Sequence, residues 1–180
     1  MSLNPGKISL IDSARQPYEI DWQTWQPSER CVLTVLYDAS NVLLIDKLQG
    51  FGTGKVSVPG GRIEPGETPL QAAVRETEEE VGLTPLSLRE AGRLHFAFTH
   101  GFHMHVTVFA TQAWEGDLRS TDEARPFWCR RSEIPYGRMW SDDLLWVPLL
   151  FEERPFDGHF VFEDNLSLWH QIHAPSAQPG

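Results

Sequence analysis

Gly61-Arg-Ile-Glu-Pro-Gly-Glu67, followed after seven residues by Arg75-Glu-Thr-Glu-Glu-Glu-Val-Gly-Leu83, is the stretch on which the fold turns. Between the two halves the pattern is helical. Thr68 is a good N-cap, Pro69 suits a first helical position, and Gly82 supplies a stop. Leu70, Ala73, Val74, Thr77 and Val81 recur at three- and four-residue steps and predict one buried face. Glu76, Glu79 and Glu80 stand at i, i+3 and i+4, so their carboxylates share a face. Three like charges so placed weaken a helix unless something positive sits among them. Hard divalent cations suit all-oxygen ligands, and Mg²⁺ takes a few carboxylates together with phosphates and waters. A glutamate triplet alone reads as a solvated acidic face. Its flanks decide otherwise: Pro59-Gly-Gly61 permits close backbone approach, Glu67 stands just before the helix, and Arg75 can grip a carboxylate with its planar fork.

The apolar β-rich runs Cys31–Tyr37 and Val42–Ile45, joined by Asp38-Ala-Ser-Asn41, predict strand, turn and strand. Arg93–Phe98 and Met104–Ala110 read as two further strands around a turn at Thr99–Gly101, and Phe127–Cys129 as another. Asp142–Glu153 has helical apolar spacing, with Pro148 expected to kink it or sit in its first half. Phe160–Phe162 and Leu166–Trp169 close the chain as a strand pair or as a strand with a short terminal segment. Residues 1–29, with Pro5, Pro17 and Pro27, read as a loosely structured extension that adds a short strand near Ile8–Ile11. Residues 30–175 then form the main domain, of α+β class.

The spacing Gly61-x5-Glu67-x7-Arg75-Glu76-Thr77-x-Glu79-Glu80-x-Gly82-Leu83 resembles the Nudix box, the signature of MutT-type hydrolases. Only Thr77 departs, standing where an aliphatic residue is usual. The resemblance implies an α/β/α sandwich with a mixed sheet and a loop-helix-loop motif, Mg²⁺ as cofactor with Mn²⁺ as a substitute, and attack of water at phosphorus. It implies Glu76, Glu79 and Glu80 as metal ligands with the Gly61 carbonyl, and Arg75 and Glu67 as their braces. Glu123 matches a further acidic residue near the metals. Glu79, Glu80 and Glu123 are all candidates to take the proton of the attacking water.

Outside the box, Glu123–Trp128, Ile134–Asp143, Trp146–Leu150, Phe156–Phe162 and Lys47–Gly54 resemble the 8-oxo-dGTP diphosphatases of animals within that family. That likeness implies a small nucleotide as partner, with Trp140 stacked on a purine and Asp142 and Asp143 at its edge. Lys47, Phe51, Met104, Trp146 and Phe162 would line the pocket. Ser57 stands where those enzymes carry an asparagine, and one hydroxyl replaces both ends of an amide. Core packing is the alternative for Trp140, and helix capping for the two aspartates. The family also leaves open ADP-ribose, a dinucleoside polyphosphate, or a non-catalytic regulator that binds a nucleotide; the intact glutamates speak against the last.

Bulk properties bound these readings. The 180 residues carry 15 Lys and Arg against 25 Asp and Glu, a formal charge of −10. Such a surface repels duplex nucleic acid but accepts a small polyphosphate through a cation. Met1–Gln16 lacks a basic start followed by an apolar stretch, no run reaches membrane-span length, and two cysteines make no disulfide framework. A cytoplasmic location is the expectation; nothing in the pattern specifies an oligomer. Gly54-Lys55 fails the P-loop pattern, with Gln49 five positions before and Val56 after. His95, His100, His103 and His105 invite a zinc reading, but His103 and His105 alternate along a strand and no HExxH occurs, so a packed or solvated strand face is expected.

Overall fold

The computed structural model describes residues 4–175; residues 1–3 of the N-terminal extension lie outside it. The chain divides into two compact units. One gathers the N-terminal segment to Arg30, Gly92–Val106 and the part from Ser141 onward; the other holds Cys31–Ala91 and Thr107–Trp140.

The second unit carries the decisive helix. Strand β3 (Glu29–Leu36) continues into it and pairs antiparallel with β6 (Gly60–Arg62), while β4 (Asn41–Lys47) lies between β5 (Val56–Ser57) and β11 (Ala124–Arg130). Helix α1 (Pro69–Val81) starts at a capping box: Thr68 Oγ1 accepts from the Gln71 N–H, and the Gln71 side chain accepts from the Thr68 N–H. It ends at Gly82, left-handed at φ 77°, whose N–H donates to Glu78 O. Ala72 and Ala73 pack with Val32 and Phe109, and Val81 with Leu36, Leu43 and Ile45. Thr77 is fully buried, and its hydroxyl donates to Ala73 O at 2.7 Å, which satisfies the polar group within the helix's own turn. Short strands β7 (Leu83–Leu86) and β10 (Ala113–Gly116) pair antiparallel after it.

In the first unit, β12 (Phe156–Glu163) runs parallel to β8 (Arg89–Phe98) and antiparallel to β13 (Leu166–His173). Mixed pairing is therefore present, as expected. The register sets Phe96 beside Phe160 and Phe98 beside Phe162 on one face, and His95 beside His159 and Ala97 beside Val161 on the other. The extension is more ordered than the prolines suggest. Strands β1 (Lys7–Ile11) and β2 (Pro17–Asp21) form an antiparallel hairpin whose Ile20, with Trp22 just beyond it, packs on Ala97 and Val161. Pro17 sits at a strand end, where a missing N–H costs little. Helix α2 spans Asp143–Phe151 with Pro148 past its middle rather than in its first half. No helix among the described residues is long and apolar enough to cross a membrane.

Candidate functional site

Arg75 organises the acidic side of α1. Its Nε and Nη2 donate to Glu67 Oε1 and Oε2, each at 2.9 Å, a bidentate grip that pulls the Glu67 carboxyl down to about 2 with help from the Glu64 N–H. Its Nη1 donates to Glu76 Oε1 at 2.9 Å and Glu79 Oε2 at 3.1 Å, and Nη2 also reaches Arg62 O at 2.9 Å. One guanidinium thereby ties the helix to the preceding loop. Glu80 is held differently. Its side chain is wholly buried, Lys47 Nζ lies 2.5 Å from Oε1, and the Gly60 N–H donates to Oε2 at 2.9 Å. Burial pushes the Glu80 carboxyl upward against the pull of Lys47, and burial likewise raises Glu76 against the pull of Arg75.

Gly61 explains why the loop needs glycine. A Cβ there would run into the Glu76 carboxylate, and one on Gly60 would strike Val32 O. The main chain of Gly61 therefore lies directly against a helix carboxylate. With all four ionised, Glu67, Glu76, Glu79 and Glu80 outnumber their partners Arg75 and Lys47, and these six groups together are two charges negative. The oxygen donors and this residual charge fit a hard divalent cation. In the conformation described, the carboxylates are engaged by Arg75, Lys47 and Gly60 rather than gathered at ligand spacing. Glu79 is the exposed member, its side chain 56% accessible. Glu123 lies exposed just before β11; Leu48 N donates to its carbonyl, and Thr121 Oγ1, two residues earlier, donates to Glu80 O.

The residues expected around a base fall in both units. In the unit with α1, the Phe51 and Trp140 rings stack at 5.3 Å and 5°, and Lys55 Nζ stands 4.7 Å from the Trp140 ring centre. Ser57 is half-buried in β5, opposite Ile45. Lys47, expected beside a base, has its ammonium on Glu80 instead. In the other unit, Asp142 and Asp143 are buried at the start of α2. Asp142 makes no side-chain capping bond; its Oδ2 accepts from Trp146 Nε1 at 3.1 Å, so capping does not account for it. Trp146 is buried against Phe156, Phe162 lies near Phe96 and Phe98, and Met104 is half-buried in β9 (His103–Thr111). Sequence reasoning missed Lys55 and the Lys47–Glu80 pair, since no local spacing links residues 33 positions apart.

A family model described as NUDIX domain matches residues 27–150. The oxidized purine nucleoside triphosphate hydrolase of Danio rerio is 39% identical over 137 residues, 76% of this chain and 88% of that protein. Its counterpart in Mus musculus is 36% identical over 133 residues, 73% of this chain and 85% of that protein. Among solved structures, a mutator MutT protein from Bacillus halodurans has a TM-score of 0.72 at 24% identity, covering 80% of this chain and 97% of that one, a likeness of fold.

Proposed function

The chain belongs to the NUDIX family of hydrolases, and on that premise we propose that it is a Mg²⁺-dependent diphosphatase of purine nucleoside triphosphates. It releases the monophosphate and pyrophosphate, and 8-oxo-dGTP-like oxidised purines belong to its substrates. One observation carries this reading: a single arginine holds Glu67, Glu76 and Glu79 while Glu80 is buried against Lys47. A protein assembles so much compensated negative charge beside a glycine loop in order to hold a cation against phosphates.

Glu76, Glu79, Glu80 and the Gly61 carbonyl would hold the Mg²⁺, with Mn²⁺ as a substitute and Glu123 as a further acidic neighbour. When bound, the ion screens the triphosphate and lowers the pKa of a water. The chain's own groups do the rest. Arg75 and Glu67 fix the carboxylates in orientation, as a supporting shell does for metal ligands. Lys47 pairs with Glu80 in the resting protein, and an ion held by Glu80 would compete with it for that carboxylate. Glu79 and Glu80 are the groups on the helix that can accept the water's proton. The Trp140 face, braced by Phe51, offers base stacking. Asp142 and Asp143, with Ser57, Met104, Trp146 and Phe162, supply the edge contacts and apolar lining. Residues 30–175 act as the catalytic domain and 1–29 as an extension, and the enzyme works in the cytoplasm.

The test is hydrolysis with Mg²⁺ of normal and oxidised purine and pyrimidine triphosphates alongside ADP-ribose, scored by monophosphate and pyrophosphate release. Purine triphosphates should lead. Preference for ADP-ribose would overturn the substrate, and no release from any compound would overturn the catalytic reading.

A further inference from the structure

The first unit contains a second gathering of ligand-type groups that the proposed reaction does not use. His95 on β8 and Asp157 and His159 on β12 bring His95 Nε2, Asp157 Oδ1 and His159 Nδ1 within 4.8 Å of one another. Their side chains are 17%, 16% and 8% accessible. His95 Nε2 lies 3.5 Å and His159 Nδ1 3.4 Å from Asp157 Oδ1. These separations are long for hydrogen bonds, whose N···O distance centres near 2.9–3.0 Å. They match the edges of a tetrahedron about a zinc-like ion, which lie at about 3.3 Å for metal–ligand bonds of about 2.0–2.1 Å.

Unsatisfied polar groups mark the same place. His95 Nε2 is buried without a hydrogen bond, as are the indole nitrogens of Trp22 and Trp25. Trp22 meets the His159 ring edge-on at 4.8 Å, and Trp25 meets His95 edge-on at 5.3 Å. A native protein rarely leaves a buried imidazole nitrogen such as His95 Nε2 idle unless an ion or water completes it, whereas the two indole N–H groups only donate and call for an acceptor. The His95 and His159 rings stack at 4.5 Å and 12°, and the His105 ring meets His95 at 4.9 Å.

We propose that His95, Asp157 and His159 form a structural site for one zinc-type divalent ion, clasping β8 to β12 beneath Trp22 and Trp25 of the N-terminal extension. Two imidazoles and one carboxylate select a borderline transition ion over Mg²⁺, whose preference is for oxygen donors. The ion is fixed at the register pair His95–His159 and needs no change in strand pairing.

The test uses the full chain, stripped with chelator and returned to buffer containing excess Mg²⁺. Zinc is then added, and retention after gel filtration is measured with the melting temperature. One zinc per chain is expected. Tm should rise by about 5–10 °C once free zinc exceeds its dissociation constant 100-fold. Cobalt in place of zinc should show the visible absorption of a tetrahedral site with nitrogen donors. His95→Gln and, separately, Asp157→Asn should lose the retained zinc and the Tm rise, while His100→Gln and Glu76→Gln keep both. If the native chain retains no zinc, the proposal is overturned whatever the variants do. It is equally overturned if zinc survives His95→Gln and Asp157→Asn but is lost from Glu76→Gln, since the ion would then sit on the helix carboxylates. Circular dichroism on each variant separates loss of ligand from loss of fold.

Discussion

We propose a cation site in each unit, one on the α1 carboxylates within Glu76–Glu80 and the other joining His95 on β8 to Asp157 and His159 on β12. The first is built by helical periodicity and stabilised by salt bridges, so its charge is half compensated before any ion arrives. The second is built by parallel strand register and left with buried nitrogens uncompensated. The difference teaches where each is fragile: the helix group through its chemistry, the sheet group through its geometry.

Charge removal at Glu80 is the largest expected effect. Glu80→Gln should lower Mg²⁺-dependent turnover on the order of a hundredfold or more while the fold survives, because Lys47 can still donate to the amide oxygen. Near-normal turnover would remove Glu80 from the mechanism. Arg75→Lys comes next. A lysine cannot make the paired bonds to Glu67 together with those to Glu76 and Glu79, so a loss of about 10–100-fold is expected in a steady-state Mg²⁺ titration, partly recoverable at high Mg²⁺. Gly92→Ala attacks the other group through its register. The new methyl would run into the Phe156 ring directly opposite, and a cost of about 1–3 kcal/mol should appear in denaturant unfolding, with zinc retention weakened. An undisturbed melt and intact zinc retention would mean the register does not carry that group.

Acid sharpens the contrast. The Glu67 carboxyl is held at about 2 against an ordinary 4.5, so it favours the folded state above pH 4.5, and that advantage fades as pH falls toward 2. Glu67→Gln should therefore melt lower than the native chain near neutrality, and the two curves should converge as pH falls through this range. Thr77→Val should be the smallest effect, a Tm change within about 2 °C, since Ala73 O keeps its helical partner when the hydroxyl goes.

Those positions also show why some of the molecule can be read from the sequence and some cannot. The N-cap at Thr68, the glycine stop and the i, i+3, i+4 glutamates are local and survive as read. So do the two strands on either side of Asp38–Asn41 and the closing strand pair. Lys47 shows the limit: its likeness to a base-contacting residue gave no hint that its ammonium rests on Glu80 in the resting protein. The histidines show it more sharply. His103 and His105 alternate along a strand, as expected, yet the partners that matter to His95 lie on β12 and come from register alone. The extension was underread for a related reason, since its Ile20 and Trp22 find their apolar partners on Ala97 and Val161.

That last pairing has a consequence for the newborn protein. Trp22 leaves the ribosome well before Val161, against which it packs. At bacterial-to-eukaryotic speeds of ~5–20 residues per second, α1 is complete roughly 4–15 s before β12 exists. Through that interval the hairpin's apolar side has no finished sheet to cover it, and nascent chains stalled before residue 156 should be the ones that recruit chaperones.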